Sequence, residues 1–559
     1  MSSNGRTCSG KPAADPITIE LIHNSYLSIC EEMAKSLVRS SHSPNIKERR
    51  DCSCCLYTAS GEMAVQAEHI PVHLGVMPRA LSFILNDFSP KNMQPGDIFL
   101  VNDPYYGGNH LPDLIVAGPL FLHDDLIGFA ASMAHHNDVG GMVPRSMPAT
   151  STEIFQEGLR IPPVQLAKNG QMDPHILRII ASNSRTPSER VADLQAQVAT
   201  IRLAQVRIDE LGKEYSAEKL ADCLAELLDR SEAAIRQSIA KMPDEVITGE
   251  TFADFGGDMI PIHVQIRKDG TDLHVSFEGT GPQTKSPFNS CLANTNACVY
   301  LAMRIALAEG IASNGGLYRV LAIDAPEGSI LNPAYPCAVA ASTEVSIHTF
   351  EALARAFHKI APERMLADSG CGGVFSMGGH NPQTGQLFAY GEALGGGLGA
   401  SAKVDGESAV MPPVSNIFDT PVEAVELSLP LRIESYALVD GSSGDGEHRG
   451  GLGLRRSYRT LVPTRCSFQI GMGHKQPGGL NGGNHGRQTH IVTTRPDGTE
   501  TRITRYTQYE TVAGELVTIE TAGGGGFGDP AKRDAAAKAA DLRNGYTTLD
   551  NAAAPGIHP

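Results

Sequence analysis

The stretch 102–141 holds the side chains best suited to chemistry, because two histidines and an aspartate lie around two apolar runs. The runs, 114–122 and 126–133, are rich in strand-forming residues and flank the polar turn 123–125. Two such runs separated by a short polar turn are typical of an antiparallel β-hairpin. We therefore expect the polar side chains at the open end of this hairpin to meet.

The register of the hairpin decides which side chains share a face. If the turn centres on Asp124, partner positions sum to 248 and Asp113 lies opposite His135, and directly opposed residues point to the same face. His110, three residues earlier in a glycine-rich loop, can fold over the same end. A slip of one residue would send His135 to the other face. His136 points away in this register, and we interpret it as a structural residue or a partner of a ligand.

Two imidazoles and one carboxylate suit a divalent metal such as zinc, manganese or iron. Three protein ligands also leave positions for water or substrate. The alternative is that His110, Asp113 and His135 only hydrogen-bond the backbone of their loops. Spacing alone leaves both interpretations open.

Composition narrows the class of protein. The chain has 559 residues, enough for several cores, and a formal net charge of −16, which argues against nucleic acid or an anionic membrane as partner. No window has the roughly eighteen uninterrupted apolar residues that a membrane span needs. The polar first residues lack the apolar core of a signal peptide. We expect a cytoplasmic protein.

Eleven cysteines in such a chain are expected to be reduced thiols. The cluster Cys52, Cys54 and Cys55 suggests a metal site, but no second pair of ligands follows at zinc-finger spacing. Alternation along a strand would also send Cys54 and Cys55 to opposite faces. We interpret all three as buried strand residues.

The elements before the hairpin supply one more candidate ligand. Asp15 and Pro16 predict the start of an amphipathic helix that covers a sheet. A second hairpin is predicted from 51–58 and 62–66. Asp51, at the far end of this hairpin, is a candidate fourth metal ligand. It follows two arginines, so an ion pair is the alternative.

The coarse pattern predicts an α+β fold with several β-sheets covered by helices. We divide the chain into an N-terminal α+β region with the metal site, 1–172, a helical region, 173–245, a central α+β region, 246–411, and a strand-rich C-terminal region with a final helix, 412–559. The helical region is expected to pack against the sheet or another subunit. Glycine clusters predict tight turns between strands.

Three motifs of nucleotide-binding proteins and serine hydrolases are excluded. Gly523, Gly525 and Gly528 fit the dinucleotide pattern, but only 31 residues follow Gly528, so we predict a turn. The chain has no phosphate-binding loop of the G-x-x-x-x-G-K-[ST] type and no G-x-S-x-G nucleophile. Its chemistry must therefore come from the histidine and aspartate cluster.

Seven short segments stand out along the chain, in the order NDPYYGGNHLPDL, AHHNDVGG, EIFQEGLRIPP, EGTGPQTKSPFN, APERM, GEHRGGLG and GGGGFGDP. Together they make the chain resemble the hydantoinase B/oxoprolinase family over residues 16–556. This family includes B-type subunits of ATP-dependent N-methylhydantoinases, the C-terminal half of 5-oxoprolinases, and subunits of acetone- and acetophenone-type carboxylases.

The resemblance implies an obligate partner and a metal site. An A-type subunit with an actin-like ATPase fold would bind ATP and magnesium, and the two would form a hetero-oligomer such as (AB)2. On this sequence the implied ligands are His110, Asp113 and His135, with Asp51 as the fourth.

The implied function is ATP-dependent hydrolysis of a cyclic amide, either a hydantoin or a lactam of the oxoproline kind, active only with the partner. Asp138 and Glu157 are candidates for a catalytic acid or base, or for holding a histidine tautomer. Loop hydrogen bonding by Asp138 and an ion pair by Glu157 are the alternatives. Two other functions remain open: a subunit of a ketone carboxylase, and a structural partner of the ATPase subunit.

The sequence departs from the family pattern at two places. Arg145 stands where relatives usually have glycine, and its side chain could meet a substrate carboxylate or phosphate, or be an exposed loop residue without a role. The chain also ends sooner than many relatives, so an interface built from the tail would differ. His123, outside every motif, is interpreted as a turn residue.

Overall fold

The structure is a computed structural model that describes residues 15–67 and 69–547. Two expectations concern segments outside the described residues: the absence of a signal peptide at the N-terminus, and an interface that differs at the C-terminal tail. No described helix is both long and apolar enough to cross a membrane. The fold is α+β, as the sequence predicts.

The helices, numbered along the described chain, are α1 Pro16–Ser40, α2 Pro44–Lys47, α3 His73–Asp87, α4 Pro174–Ser182, α5 Pro187–Leu211, α6 Ala217–Ala240, α7 Leu292–Leu307, α8 Ser342–His358, α9 Val422–Ser428 and α10 Ala535–Arg543. The strands are β1 Cys52–Thr58, β2 Met63–Ala67, β3 Ile98–Val101, β4 Asp113–Leu122, β5 Asp125–His135, β6 Val164–Lys168, β7 Gln171–Met172, β8 Ile247–Phe255, β9 Asp258–Asp269, β10 Asp272–Ser276, β11 Leu321–Asp324, β12 Cys371–Asn381, β13 Gln386–Gly395, β14 Leu431–Leu438, β15 Leu454–Thr460, β16 Thr464–Gln469, β17 His490–Thr494, β18 Glu500–Ile503, β19 Thr507–Thr511 and β20 Leu516–Glu520.

The N-terminal sheet has seven antiparallel strands in the order β2-β1-β5-β4-β3-β6-β7. Apolar residues of α1, α5 and α6 form one buried cluster with one face of the sheet. Residues of α3 and α7 cover the other face. The hairpin of β4 and β5 therefore lies near the centre of a sheet buried on both sides. This fixes its register, because a slip of one residue would move every side chain to the opposite face and disrupt the packing on both.

The predicted hairpin register is confirmed. Asp113 pairs with His135, and every pair up to Leu120 with Gly128 keeps the predicted sum of 248. A register shift follows next to the turn, where an extra residue is taken up. His123 lies in this turn with φ 56°, as expected of a turn residue.

The first helix and the cysteine strand also follow the sequence. The side chain of Asp15 accepts a hydrogen bond from the backbone N–H of Thr18 and caps α1. Cys52 and Cys54 pack in the cluster beneath α1, whereas Cys55 packs in the cluster beneath α3. The alternation that separated these thiols is therefore confirmed.

The predicted helical region 173–245 consists of α4, α5 and α6. Buried residues of α4, α5 and the first half of α6 share a cluster with α1 and the N-terminal sheet, whereas Ile235 and Ile239 of α6 pack in the cluster of the second half. Of the two packing partners considered, the described structure places the sheet of the same chain against these helices.

The second half contains three further sheets. Strand orders are β11-β10-β9-β8, β13-β12-β16-β19 and β14-β15-β20-β17-β18. The middle sheet takes β12 and β13 from before residue 411 and β16 and β19 from after it. One sheet therefore has strands from both sides of the predicted boundary at 411/412. The four predicted regions stay a prediction about the sequence.

The glycine run 523–526 is not the turn that the sequence predicted. None of these four glycines has a positive φ, and only Gly528, after the run, does. A Cβ at any of the four would lie 1.9–2.1 Å from a backbone oxygen of another segment. Glycine is needed here for close approach of extended backbones rather than for a tight turn.

Candidate metal centre

Three side chains meet at the open end of the central hairpin. His110 lies in the loop before β4, Asp113 begins β4, and His135 ends β5. The loop is compact because Gly107 has φ 88° and a Cβ on Gly108 would lie 2.6 Å from the carbonyl oxygen of Asn102. One donor atom from each of the three side chains lies within 4.8 Å of the others.

The contacts within the cluster are close but incomplete. His135 Nδ1 lies 3.0 Å from Asp113 Oδ1, and His110 Nε2 lies 3.5 Å from Asp113 Oδ2. The two imidazole rings are 4.8 Å apart and nearly perpendicular, at 79°. His110 Nδ1 and His135 Nε2 have no hydrogen-bond partner among the described residues. Buried polar atoms usually have a hydrogen-bond partner, so these two ring nitrogens are candidate donor atoms for a ligand.

Burial sets the protonation of the two histidines. It lowers the pKa of His110 to about 3 and the pKa of His135 well below its usual value, although Asp113 and Asp51 respectively oppose these shifts. Both imidazoles are therefore neutral near pH 7, with a nitrogen lone pair available. Neutral imidazole is the form that binds a metal.

The donor set and the space fit a divalent cation. Two neutral imidazoles and a carboxylate are ligands that zinc, manganese and iron accept. The cluster borders a cavity of about 40 Å³, and about 10–15 Å³ of such space holds one water. The cavity thus has room for an ion together with water.

Asp51 lies in the wall of this cavity but outside the three-residue cluster. Its Oδ2 is 4.0 Å from His135 Nδ1 and 3.5 Å from the amide nitrogen of Asn45. Burial raises the pKa of its carboxyl, with His135 opposing the shift. Its part as a fourth ligand stays a prediction. His73 lines the same cavity, with Nδ1 2.8 Å from Ser53 Oγ.

A chain of hydrogen bonds that the sequence reasoning missed holds Asp113. The side-chain amide of Asn109 donates to Asp113 Oδ2 over 2.8 Å. Asn294 of α7 and Ser342, at the start of α8, donate to the side-chain oxygen of Asn109. Asn109 precedes His110 in the quoted motif and could have been suspected. Asn294 and Ser342 carry no such signal, because they reach the site from more than 180 positions away.

A second missed group orients the end of β5. The amide of Asn45 donates to the backbone oxygen of His135 over 2.9 Å. Arg49 donates through Nη1 to Asn45 Oδ1 and to the carbonyl oxygen of Gly391, over 2.5 and 2.9 Å. Arg49 lines the cavity. The sequence indicates it only as an ion-pair partner of Asp51.

Asp138 accepts hydrogen bonds from its own loop and from Arg185. Its Oδ2 accepts hydrogen bonds from the backbone N–H of Arg145 and from Arg185 Nη1, over 2.9 and 3.0 Å. Its Oδ1 accepts from the N–H groups of Gly140 and Arg185. These contacts match the loop-bonding alternative, and its catalytic assignment stays a prediction.

Glu157 is likewise bound by neighbours other than the histidines. Its carboxylate accepts hydrogen bonds from Ser151 Oγ, over 2.7 Å, and from the backbone N–H groups of Val339 and Ala340. Burial raises its pKa to about 7 against these hydrogen bonds. The expected ion pair is not among its contacts within the described chain. A role in proton transfer stays a prediction.

Arg145 is a cavity residue, so the alternative of an exposed loop residue is wrong. Its relative exposure is 2% and it lines the cavity with the histidines. Its backbone has φ 70°, a conformation that favours glycine. His136 faces away from the cluster, as expected, with Nε2 2.8 Å from Gln197 Oε1 of α5.

The family model for hydantoinase B/oxoprolinase matches residues 15–530. The chain belongs to this family. Among its relatives is an uncharacterized protein of Methanocaldococcus jannaschii, 33% identical over 93% of this chain and 92% of its own length. The 5-oxoprolinase PfmaA of Pestalotiopsis fici is 31% identical over 92% of this chain, which spans only 41% of that protein.

Two solved structures share the fold of this hydantoinase B/oxoprolinase family member. The ATP-dependent caprolactamase of Pseudomonas jessenii superposes with a TM-score of 0.88 at 28% identity, over 97% of this chain and 96% of its own. Acetone carboxylase in its nucleotide-free form also gives 0.88, at 20% identity, over 96% and 79%. The second likeness shows the fold alone.

Proposed function

We propose that this chain is the metal-containing B-type subunit of an ATP-dependent cyclic amide hydrolase and acts with an ATP-binding A-type subunit. The observation that carries the proposal is the cluster of His110, Asp113 and His135 beside a buried cavity. Family membership supports it, because relatives are named 5-oxoprolinase and ATP-dependent caprolactamase.

The three clustered side chains would hold the metal. Zinc, manganese or iron bound there would act as a Lewis acid toward the amide carbonyl and lower the pKa of water. Asn109 fixes the carboxylate of Asp113, and Asn45 fixes the end of β5. The metal-binding side chains would therefore be oriented before the metal binds. The neutral state of both imidazoles at pH 7 keeps their nitrogens open.

The size of the cavity bears on the need for a partner. A cavity of about 40 Å³ is far smaller than the roughly 300 Å³ or more of small-molecule sites. A lactam ring therefore enters only after part of the wall moves. We assign that opening, together with ATP and magnesium, to an A-type subunit in a hetero-oligomer such as (AB)2. The relative named caprolactamase subunit beta is consistent with a two-component enzyme.

The competing candidate is a ketone carboxylase subunit with the same metal cluster. A divalent metal suits an enolate oxygen as well as an amide oxygen. The likeness to acetone carboxylase, at 20% identity, gives it no preference. The test below therefore includes a ketone with bicarbonate.

The test is reconstitution with an A-type subunit from the same organism. Metal content of the purified protein is measured first, and ATP hydrolysis is then followed with hydantoin, 5-oxoproline, caprolactam, and acetone plus bicarbonate. We expect bound metal and ATPase stimulation by a cyclic amide, with no turnover by this chain alone.

Three outcomes decide against the proposal. If acetone plus bicarbonate stimulates the ATPase and no cyclic amide does, the function is ketone carboxylation and not amide hydrolysis. Full activity of a metal-free preparation would show that the reaction does not need a metal. Full activity of His110→Ala and Asp113→Ala with the partner would leave this chain a structural partner only.

A further inference from the structure

Two buried arginines beside the metal cluster have donors that nothing in the described chain uses. The relative exposures of Arg145 and Arg49 are 2% and 1%. Nε and Nη1 of Arg145 and Nη2 of Arg49 have no hydrogen-bond partner among the described residues. Both side chains line the cavity of His110, Asp113 and His135. Buried guanidinium groups are ordinarily paired, so these donors indicate a missing acceptor.

The fold is shaped to hold the Arg145 side chain in this place. Its backbone N–H donates to the buried carboxylate of Asp138, which fixes the residue at φ 70° despite the strain of that conformation. Gly391 leaves the space that the side chain fills, since a Cβ there would lie 2.2 Å from Arg145 Cδ and 2.6 Å from Nε. The guanidinium is therefore positioned by two separate segments of the chain.

The charges around the cavity call for an anion. The formal charges of Arg49 and Arg145 balance those of Asp51 and Asp113. A divalent metal held by the cluster would add two positive charges, which an anionic ligand would offset. An arginine fork matches the two oxygens of a carboxylate.

We propose that Arg145, assisted by Arg49, binds a carboxylate of the substrate, so that this chain acts on cyclic amides bearing a carboxylate rather than on neutral ones. The inference rests on the proposed function, because it names the substrate class of the same cavity. Arg145 is thereby a specificity-determining residue, and the metal ligands handle the amide while the arginines hold the acid group.

The experiment uses the reconstituted complex and two pairs of ligands that differ by one acid group: 2-pyrrolidinone with 5-oxoproline, and hydantoin with 5-carboxymethylhydantoin. Calorimetry without ATP gives Kd for metal-loaded and chelated complex, and turnover with ATP gives KM and kcat. The variants are Arg145→Gly, which suits the positive φ, and Arg145→Lys, which keeps the charge but loses the fork. Arg178→Ala, on the exposed face of α4, controls for the loss of one charge.

We expect the carboxylated member of at least one pair to bind about 10- to 100-fold more tightly than its neutral partner, the size of hydrogen bonds to charged groups. Arg145→Gly should abolish this preference by raising Kd and KM for the carboxylated ring toward the values of the neutral ring. Arg145→Lys should keep part of it and Arg178→Ala all of it.

Two results would overturn the inference while leaving the proposed function intact. One is turnover of neutral amides with no gain from the carboxylate. The other is weaker binding of inorganic phosphate in Arg145→Gly with unchanged binding of the carboxylated rings, which would assign the arginines to a phosphoryl group. By contrast, absence of both metal and amide turnover would refute the proposed function itself.

Discussion

Two buried clusters of histidine and carboxylate lie in different parts of the molecule and are completed differently. In the hairpin cluster, His110 and His135 flank Asp113. In the cluster on α8, His348 Nδ1 lies 3.0 Å from Glu351 Oε2, and Lys475 Nζ forms an ion pair with the same oxygen. The α8 cluster therefore has a cation supplied by the chain.

The comparison separates a cluster whose carboxylate is paired with a lysine of the chain from one that keeps two ring nitrogens unpartnered within the described chain. Lys475 also donates to Thr251 Oγ1 over 2.8 Å, and the cavity beside Glu351 is about 10 Å³, against about 40 Å³ at the hairpin. A lysine ammonium occupies the place that a metal would take. At the hairpin no described lysine lines the cavity, and the two arginines that do, Arg49 and Arg145, form no ion pair with Asp113 among the described residues.

The largest expected effect is loss of metal from the hairpin cluster. His110→Ala removes a ligand, and we expect metal affinity to fall by more than about 100-fold, since loss of a mere hydrogen-bond partner of a ligand costs 10- to 100-fold. Competition with a chelator measures it. His123→Asn removes an exposed imidazole from the same hairpin and should change nothing. Undiminished metal binding by His110→Ala would break the comparison.

Removal of the internal cation should affect stability instead. Lys475→Met leaves Glu351, 4% exposed, as a buried carboxylate without its main counter-charge. We expect the free energy of unfolding to fall by about 3–5 kcal/mol, as for other broken buried pairs. Urea unfolding measures it, with the exposed Lys91→Met as control. Metal content should stay at the wild-type value, and a loss of metal would show that the clusters are not independent.

A smaller effect on metal affinity is expected from Asn109, which is one hydrogen bond away from Asp113. Asn109→Ala removes the hydrogen bond to Asp113 Oδ2 and disconnects the site from α7 and α8. Metal affinity should fall by about 10- to 100-fold while the site still loads at high metal concentration. Calorimetric titration of the chelated protein distinguishes this from complete loss. Unchanged affinity would mean that the site is oriented without Asn109.

The pH dependence of stability sharpens the comparison further. Burial opposes ionisation of Glu351, but Lys475 and His348 prevail and lower its pKa to about 2. A lowered carboxyl pKa contributes stability that is present above the unfolded value, about 4.3, and is lost as the pH falls toward 2. The difference in unfolding free energy between wild type and Lys475→Met should therefore shrink from pH 5 to pH 3. A difference that stays constant would contradict the assigned pKa.

The hairpin shows how much of the site could be predicted from the sequence. Apolar runs and a polar turn were enough to predict the pairing of Asp113 with His135, and the structure has this pair. The reason is local: the two positions are 22 residues apart on adjacent strands, and strand alternation leaves two choices of face. Helix α1, the cysteine strand and the helices after residue 173 followed from equally local patterns.

The glycine segment and the asparagine network show where sequence reasoning stopped. Gly523–Gly526 looked like a turn because glycine permits turns, yet its neighbours are the backbones near residues 398, 442–445 and 478. Asn109 is held by residues of α7 and α8. A pattern within one segment carries no information about which distant segment packs on it.

The sequence by itself determined the family, the hairpin and the three candidate ligands, since these depend on residue order and on contacts within one pair of strands. Tertiary structure alone decided that Arg145 is buried. Its place depends on Gly391, which is 246 positions away and offers the space for its side chain. Charge and burial of a single residue are set by everything that packs around it, and only the folded chain brings those neighbours together.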